Sequence, residues 1–187
     1  MGEFQVVILA AGYGTRLSSD LEKTPGEKWR RLTGVPKPLL PLGGVPLISR
    51  WLDLLSSEVE RITNICVVTN DKFYTQFVSW KERLEDSPVK EKVIIYNDFS
   101  TSNESRVGAV RDLELAVRVE ETDQSVLVIA GDTLFSQHFR LASFIHTWTL
   151  LQGTHLHILY VIVQYIYFLL EQSIKLLNRK MSSQDQI

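Results

Sequence analysis

Gly12-Tyr13-Gly14-Thr15-Arg16 sets two glycines, a hydroxyl and a guanidinium side by side. Glycines let a backbone approach a phosphate closely, and arginine adds a permanent charge that grips phosphate in a bidentate way. Further on, Lys37 stands between Pro36 and Pro38. Proline restricts its own φ and the residue before it, so this lysine is either a fixed second cation or a surface side chain in a proline-rich turn. A third group, Gly131-Asp132, closes the apolar run 126–130. A carboxylate at the C-terminal end of a buried strand sits where open α/β sheets bind ligands. Mg²⁺ prefers one or two carboxylates with phosphate oxygens and water, so Asp132 is a metal-ligand candidate, with a helix N-cap as the alternative.

Two commoner phosphate motifs are excluded. A dinucleotide fingerprint needs a third glycine where Leu17 stands, and no Gly-Lys-Ser/Thr completes a P-loop. The one cysteine, Cys66, lies in an apolar run and reads as a core thiol. His155 and His157 have the spacing of a chelating pair, but nothing suggests a third ligand. Arg106 and Arg111 read as surface partners for Glu104, Asp112 or Glu114.

These groups need a scaffold that brings strand ends together. The runs 6–10, 65–69, 93–96 and 126–130 are nearly all apolar, as in a parallel sheet covered on both faces. Helical periodicity recurs over 47–55, 73–84 and 105–119. Strands alternating with helices predict an α/β domain. Residues 18–34 are polar and interrupted and read as a loop, or as a flap whose Lys28, Arg30 or Arg31 folds over phosphates. The 187 residues suit one domain, and the net charge of -2 gives no basic surface for nucleic acid. From 141 to 170 there is no Asp, Glu, Lys or Arg. The apolar run 156–170 is shorter than the roughly 20 residues of a membrane span, so a membrane anchor is disfavoured. The N-terminus lacks the basic region of a signal peptide, which makes the cytoplasm the expected compartment.

Leu9 to Leu17, then Pro36-Lys37-Pro38-Leu39-Leu40-Pro41-Leu42-Gly43-Gly44, then Ala130-Gly131-Asp132, together resemble the nucleotidyltransferase family of sugar-1-phosphate nucleotidylyltransferases, or NDP-sugar pyrophosphorylases. The resemblance implies a Rossmann-like, glycosyltransferase-A type fold with a mixed, mostly parallel sheet and helices on both faces. It implies transfer of a nucleotidyl group from an NTP to a sugar 1-phosphate or a similar phosphorylated acceptor, with Mg²⁺ as cofactor. Leu9, Ala10 and Ala11 would flank base and ribose. Gly12, Tyr13, Gly14 and Thr15 would wrap the triphosphate. Arg16 and Lys37 would act on the reacting phosphates, and Asp132 would bind Mg²⁺. The segment 97–109 stands where the family reads the base. Here Asn103, Ser105 and Gly108 replace the commoner pattern and look closer to cytidylyltransferase-like members, leaving the base open.

The match covers 4 to about 145, so residues 1–145 form the expected nucleotide-binding domain and 146–187 an atypical apolar segment with a polar tail. The later half of the family fold, with a second metal-binding carboxylate, has no counterpart in the sequence, as in a truncated chain with impaired turnover. Two alternatives follow. One is a phosphocholine-type cytidylyltransferase. The other is a non-catalytic nucleotide-binding or regulatory subunit in a homo- or hetero-oligomer, with 156–170 as its contact surface.

Overall fold

The computed structural model describes residues 3–120, 124–135, 138–151 and 159–161. In chain order the elements are β1 (Phe4–Leu9), α1 (Thr15–Lys23), α2 (Glu27–Arg30), β2 (Pro41–Leu42), β3 (Val45–Pro46), α3 (Leu47–Leu55), β4 (Ile62–Thr69) and α4 (Tyr74–Glu82). They continue with α5 (Pro88–Glu91), β5 (Val93–Asn97), α6 (Ala109–Val119), β6 (Ser125–Ala130), α7 (Leu141–Leu151) and β7 (Leu159–Val161). The main sheet runs β5-β4-β1-β6-β7. Every pairing in it is parallel, with Leu9 opposite both Val68 and Ala130. The antiparallel component is a separate ribbon of β2 and β3.

The apolar runs behave as fully buried strands do. Along β1, Val6 and Ile8 pack on one face with Ile48, Trp51, Leu55, Phe77 and Ile145 from α3, α4 and α7. Val7 points to the other face and meets Ala116 of α6. Fully burying a side chain such as Ile8 or Ile65 stabilises the fold by roughly 1.5–3 kcal/mol. Cys66 is buried in this second layer, where the Gln5 amide donates to its Sγ at 3.1 Å. Burial pushes the thiol up to about 12, so it is a core group and not a nucleophile.

The loop expected over 18–34 is corrected by the structure. Its first part continues α1 to Lys23, and α2 occupies Glu27–Arg30. Leu21 anchors α1 in the core, and an exposed Arg31–Glu27 contact of 2.5 Å supports α2. Arg31 thereby turns to its own helix. The helix expected over 105–119 begins at Ala109. Before it the chain turns, because Ser105 Oγ accepts from the N–H groups of Thr101 and Ser102.

Position 145 falls within α7, and Leu159–Val161 of the apolar run adds β7 beside β6. The rest of 156–170, with His155 and the tail after 161, lies outside the described residues. Among the described residues no helix is long and apolar enough to cross a membrane.

Candidate functional site

The strand order reverses at β1. The chain steps from β1 to β4 and β5 on one side, then returns to place β6 on the other. A crevice forms outside the C-terminal strand ends at such a switch point. Here it is a cavity of about 460 Å³. Leu9, Ala10, Ala11, Gly12 and Gly14 line it from the β1 loop, Lys37 from the proline turn, Gly108 from the start of α6, and Asp132 from beyond β6. Motifs far apart in sequence thus share one wall.

Each of these groups is held in place by identifiable contacts. Gly14 precedes α1 at φ 61°, a left-handed conformation that favours glycine, and Lys37 packs against it. Asn70, fully buried, donates to the Ala11 carbonyl at 2.8 Å and accepts from Phe73 N–H at 3.1 Å. It ties the β1 loop to the end of β4. Gly131 N–H donates to the Leu9 carbonyl at 2.9 Å. A Cβ on Gly131 would stand 3.0 Å from that oxygen and 3.2 Å from Ile8 Cγ2, so the glycine permits the close approach of β6 to β1. Beyond it, Thr133 Oγ1 donates to the Ala130 carbonyl at 2.6 Å, and Trp51 Nε1 donates to the Thr133 carbonyl at 3.0 Å. The turn that carries Asp132 is braced on both sides.

Lys37 Nζ lies 3.6 Å from Asp132 Oδ2. The side chains are 26% and 45% exposed, so both face the cavity while remaining open to water. A cation and a carboxylate are therefore available at the same strand end, beside a loop with free room for backbone N–H donors.

Asp98, Arg106 and Asp112 also line the cavity. Asp98 follows β5 and Asp112 lies on the first turn of α6. Asp98 Oδ1 accepts from Ser100 N–H and Ser100 Oγ, each at 2.7 Å. Asp112 is only 4% exposed. Burial, then the Asp98 charge and a hydrogen bond to Asp98, raise its carboxyl from 3.8 to about 7. Asp112 is thereby held protonated well above the usual carboxylate range. This corrects the reading of Asp112 as a surface partner for arginine. Arg106 also lines the cavity, whereas the helical ion pair forms between Arg118 and Glu114 at 3.5 Å. Sequence reasoning missed Asp98, Asp112 and Asn70. An Asp in a predicted apolar helix was the available signal, but its partner is set by tertiary packing.

Four other anticipated residues are not brought to this cavity. Tyr13 is buried, stacks obliquely toward Phe73 at 6.2 Å and donates to Ser100 Oγ at 3.2 Å. Tyr13, Thr15 and Asn103 line an adjacent cavity of about 390 Å³. Arg16 is exposed on the first turn of α1 and lines neither.

Among the described residues no three His, Cys, Asp or Glu side chains converge as a metal cluster. Asp132 supplies one carboxylate beside a phosphate-sized space, which fits Mg²⁺ only in the mode where phosphate and water complete the coordination.

The MobA-like NTP transferase domain pattern matches residues 6–153. No curated protein matches the chain in sequence. Among solved structures it is similar to the CTP:phosphocholine cytidylyltransferase from Streptococcus pneumoniae, at 27% identity and TM-score 0.48 over 74% of this chain and 49% of that one. It is also similar to the inositol-1-phosphate CTP transferase from T. maritima, at 17% identity and TM-score 0.47 over 72% and 46%. A UDP-glucose pyrophosphorylase complexed with UDP-glucose gives 17% identity and TM-score 0.49 over 80% and 55%. The chain spans about half the length of these structures.

Proposed function

Because the chain belongs to the MobA-like NTP transferase domain family, we propose that it transfers a nucleotidyl group from an NTP to a sugar 1-phosphate or a similar small phosphorylated acceptor. The observation that carries this reading is the meeting of the glycine loop, Lys37 and Asp132 in one cavity at the β1/β6 switch point.

A phosphate oxygen of the acceptor attacks the α-phosphorus. A new P–O bond forms, the bond to the β-phosphate oxygen breaks, and pyrophosphate leaves. The attacking oxygen is already anionic, so little proton transfer is required, and positioning and charge neutralisation carry the catalysis. The N–H groups of Gly12 to Thr15 cradle the phosphates. Lys37 neutralises charge developing at the α-phosphate. Arg16 closes on the leaving phosphates from the first turn of α1. Leu9, Ala10 and Ala11 flank the nucleoside. Asp132 would hold Mg²⁺ together with phosphate oxygens, and the ion supplies charge stabilisation at the transferred group. Tyr13 braces the loop through its ring, and Asn103 borders the neighbouring cavity. We assign the chain to the cytoplasm, a compartment that suits its single unpaired cysteine.

Pyrophosphate release, measured over a matrix of NTPs and sugar 1-phosphates with Mg²⁺, tests the reading. Turnover with one pair and loss in Asp132→Asn support it. Nucleotide binding without turnover in any pair assigns the chain to the non-catalytic, nucleotide-binding alternative.

A further inference from the structure

Successive residues of the β1 loop face different spaces. Gly12 and Gly14 line the cavity of about 460 Å³, whereas Tyr13 and Thr15 line the neighbouring one of about 390 Å³. The segment after β5 divides in the same way, with Asp98 on the first cavity and Thr101 to Asn103 on the second. Ser100 stands between them. The hydrogen bond from the Tyr13 hydroxyl to Ser100 Oγ, at 3.2 Å, therefore joins the two walls where the cavities meet.

We propose that Tyr13 is a positioning residue: its bond to Ser100 holds the Gly12–Gly14 backbone in the conformation that offers N–H groups to phosphate. The inference rests on the transfer reading above. It goes beyond that reading by assigning the order of the phosphate loop to a hydroxyl pair set behind it. Glycine loses more conformational freedom on ordering than any other residue, so a Gly-Tyr-Gly loop is loose unless its middle is fixed. Asn70 holds the loop at the Ala11 carbonyl, and Tyr13 holds it two residues further on. The Tyr13 ring is 7% exposed and lies 6.2 Å from the Phe73 ring. Apolar burial has no direction, so the hydroxyl bond is what sets the depth of the ring. A loop ordered before the ligand arrives loses less freedom on binding.

Ser100 is built to serve as the anchor. It is 3% exposed, and its carbonyl accepts from Asp71 N–H at 3.0 Å. Its N–H and its Oγ both donate to Asp98 Oδ1. With the Ser100 proton committed to Asp98, the hydroxyl oxygen offers a lone pair to Tyr13. Donation runs from Tyr13 to Ser100 to Asp98, and each bond polarises the next. The turn that carries Ser100 is also strained. Phe99 has φ 60°, and it is the one non-glycine with a positive φ among the described residues. Its side chain is 77% exposed, so its own packing does not impose that conformation. Phe99 N–H donates to Asn97 Oδ1 at 2.8 Å, and the Asn97 amide donates to Asp71 Oδ1 at 2.8 Å. Strain of this kind persists where surrounding contacts over-determine it. Here those contacts deliver the Ser100 hydroxyl to Tyr13.

Calorimetric binding of tripolyphosphate to the full chain with Mg²⁺ tests the inference, because this probe fills a phosphate cradle and carries no base. Tyr13→Phe keeps the ring and removes the hydroxyl, and Ser100→Ala removes the acceptor. Each should weaken tripolyphosphate binding by about fivefold, the scale of one neutral hydrogen bond, at a nearly unchanged melting temperature. The double variant should bind no more weakly than the weaker single one, because both changes break the same bond. The tightest-binding NTP should lose affinity by the same factor. Unchanged tripolyphosphate affinity in Tyr13→Phe overturns the inference and leaves nucleotidyl transfer standing. So do losses that multiply in the double variant. A loss for the NTP alone assigns the bond to the nucleoside end of the site and overturns its role in the phosphate cradle. If Ser100→Ala does not fold, Tyr13→Phe decides alone. A Tyr13→Phe chain that does not fold makes the hydroxyl a folding determinant and overturns the inference. Wild-type binding of an NTP without binding of tripolyphosphate overturns it too. Absence of wild-type binding by tripolyphosphate and by every NTP overturns both readings.

Discussion

Lys37 Nζ lies 3.6 Å from Asp132 Oδ2, joining the proline turn to the end of β6 across the switch point of a parallel sheet. The pair is partly exposed, so it stabilises the fold by less than about 1 kcal/mol. Its larger consequence is for phosphate chemistry. Lys37→Ala should lower turnover by about 10²–10³, the scale of losing one electrostatic contact in a transition state. The melting temperature should change little. Wild-type pyrophosphate release in this variant would remove Lys37 from the mechanism.

Gly131→Ala should destabilise the chain by about 1–3 kcal/mol, the usual cost of overpacking. The added Cβ would meet the Leu9 carbonyl at 3.0 Å, and that oxygen cannot retreat without straining its hydrogen bond to Gly131 N–H. Urea unfolding reads the effect directly. An unchanged midpoint would mean that β1 and β6 can separate at no cost.

Asn70→Ala removes a donor to the Ala11 carbonyl and an acceptor for Phe73 N–H, both in the buried layer behind the loop. A loss of about 1–3 kcal/mol is expected for stranding such groups. Nucleotide affinity should weaken as well, because the loop loses its tie to β4. A variant that loses stability yet binds NTP as the wild type does would make Asn70 a core residue only.

The Asp112 carboxyl has a folded-state value of about 7 against an ordinary 3.8. Between these values the folded chain holds a proton that the unfolded chain releases. Its contribution to stability is therefore full below about pH 4 and is lost as the pH rises through about 7. Asp112→Asn stays neutral throughout, so its stability should decline less than that of the wild type between pH 5 and pH 8. Parallel urea midpoints for the two proteins across that range would contradict a buried carboxyl that keeps its proton on folding.

Much of this architecture was legible in the residues. The apolar runs marked β1, β4, β5 and β6 because a strand covered on both faces has no polar side to alternate. Gly12, Gly14, Lys37 and Asp132 were recognisable because phosphate and metal chemistry restricts both residue type and position on the strand ends. Other features depend on long-range packing. Residues 18–34 look interrupted in sequence, yet Leu21 alone is enough to seat α1. Asp112 resembles any helix-surface carboxylate until β5 brings Asp98 beside it. Asn103 carries a side chain suited to reading a base, but the turn closed by Ser102 and Ser105 directs it to the neighbouring cavity.

The central claim is that one cavity, bounded by the glycine loop, Lys37 and Asp132, performs nucleotidyl transfer. Pyrophosphate release by the purified chain, with each NTP against a panel of sugar 1-phosphates, tests it most directly. The account predicts Mg²⁺-dependent release with at least one pair, abolished in Asp132→Asn at unchanged melting temperature. Release that persists at the wild-type rate in Asp132→Asn would contradict it.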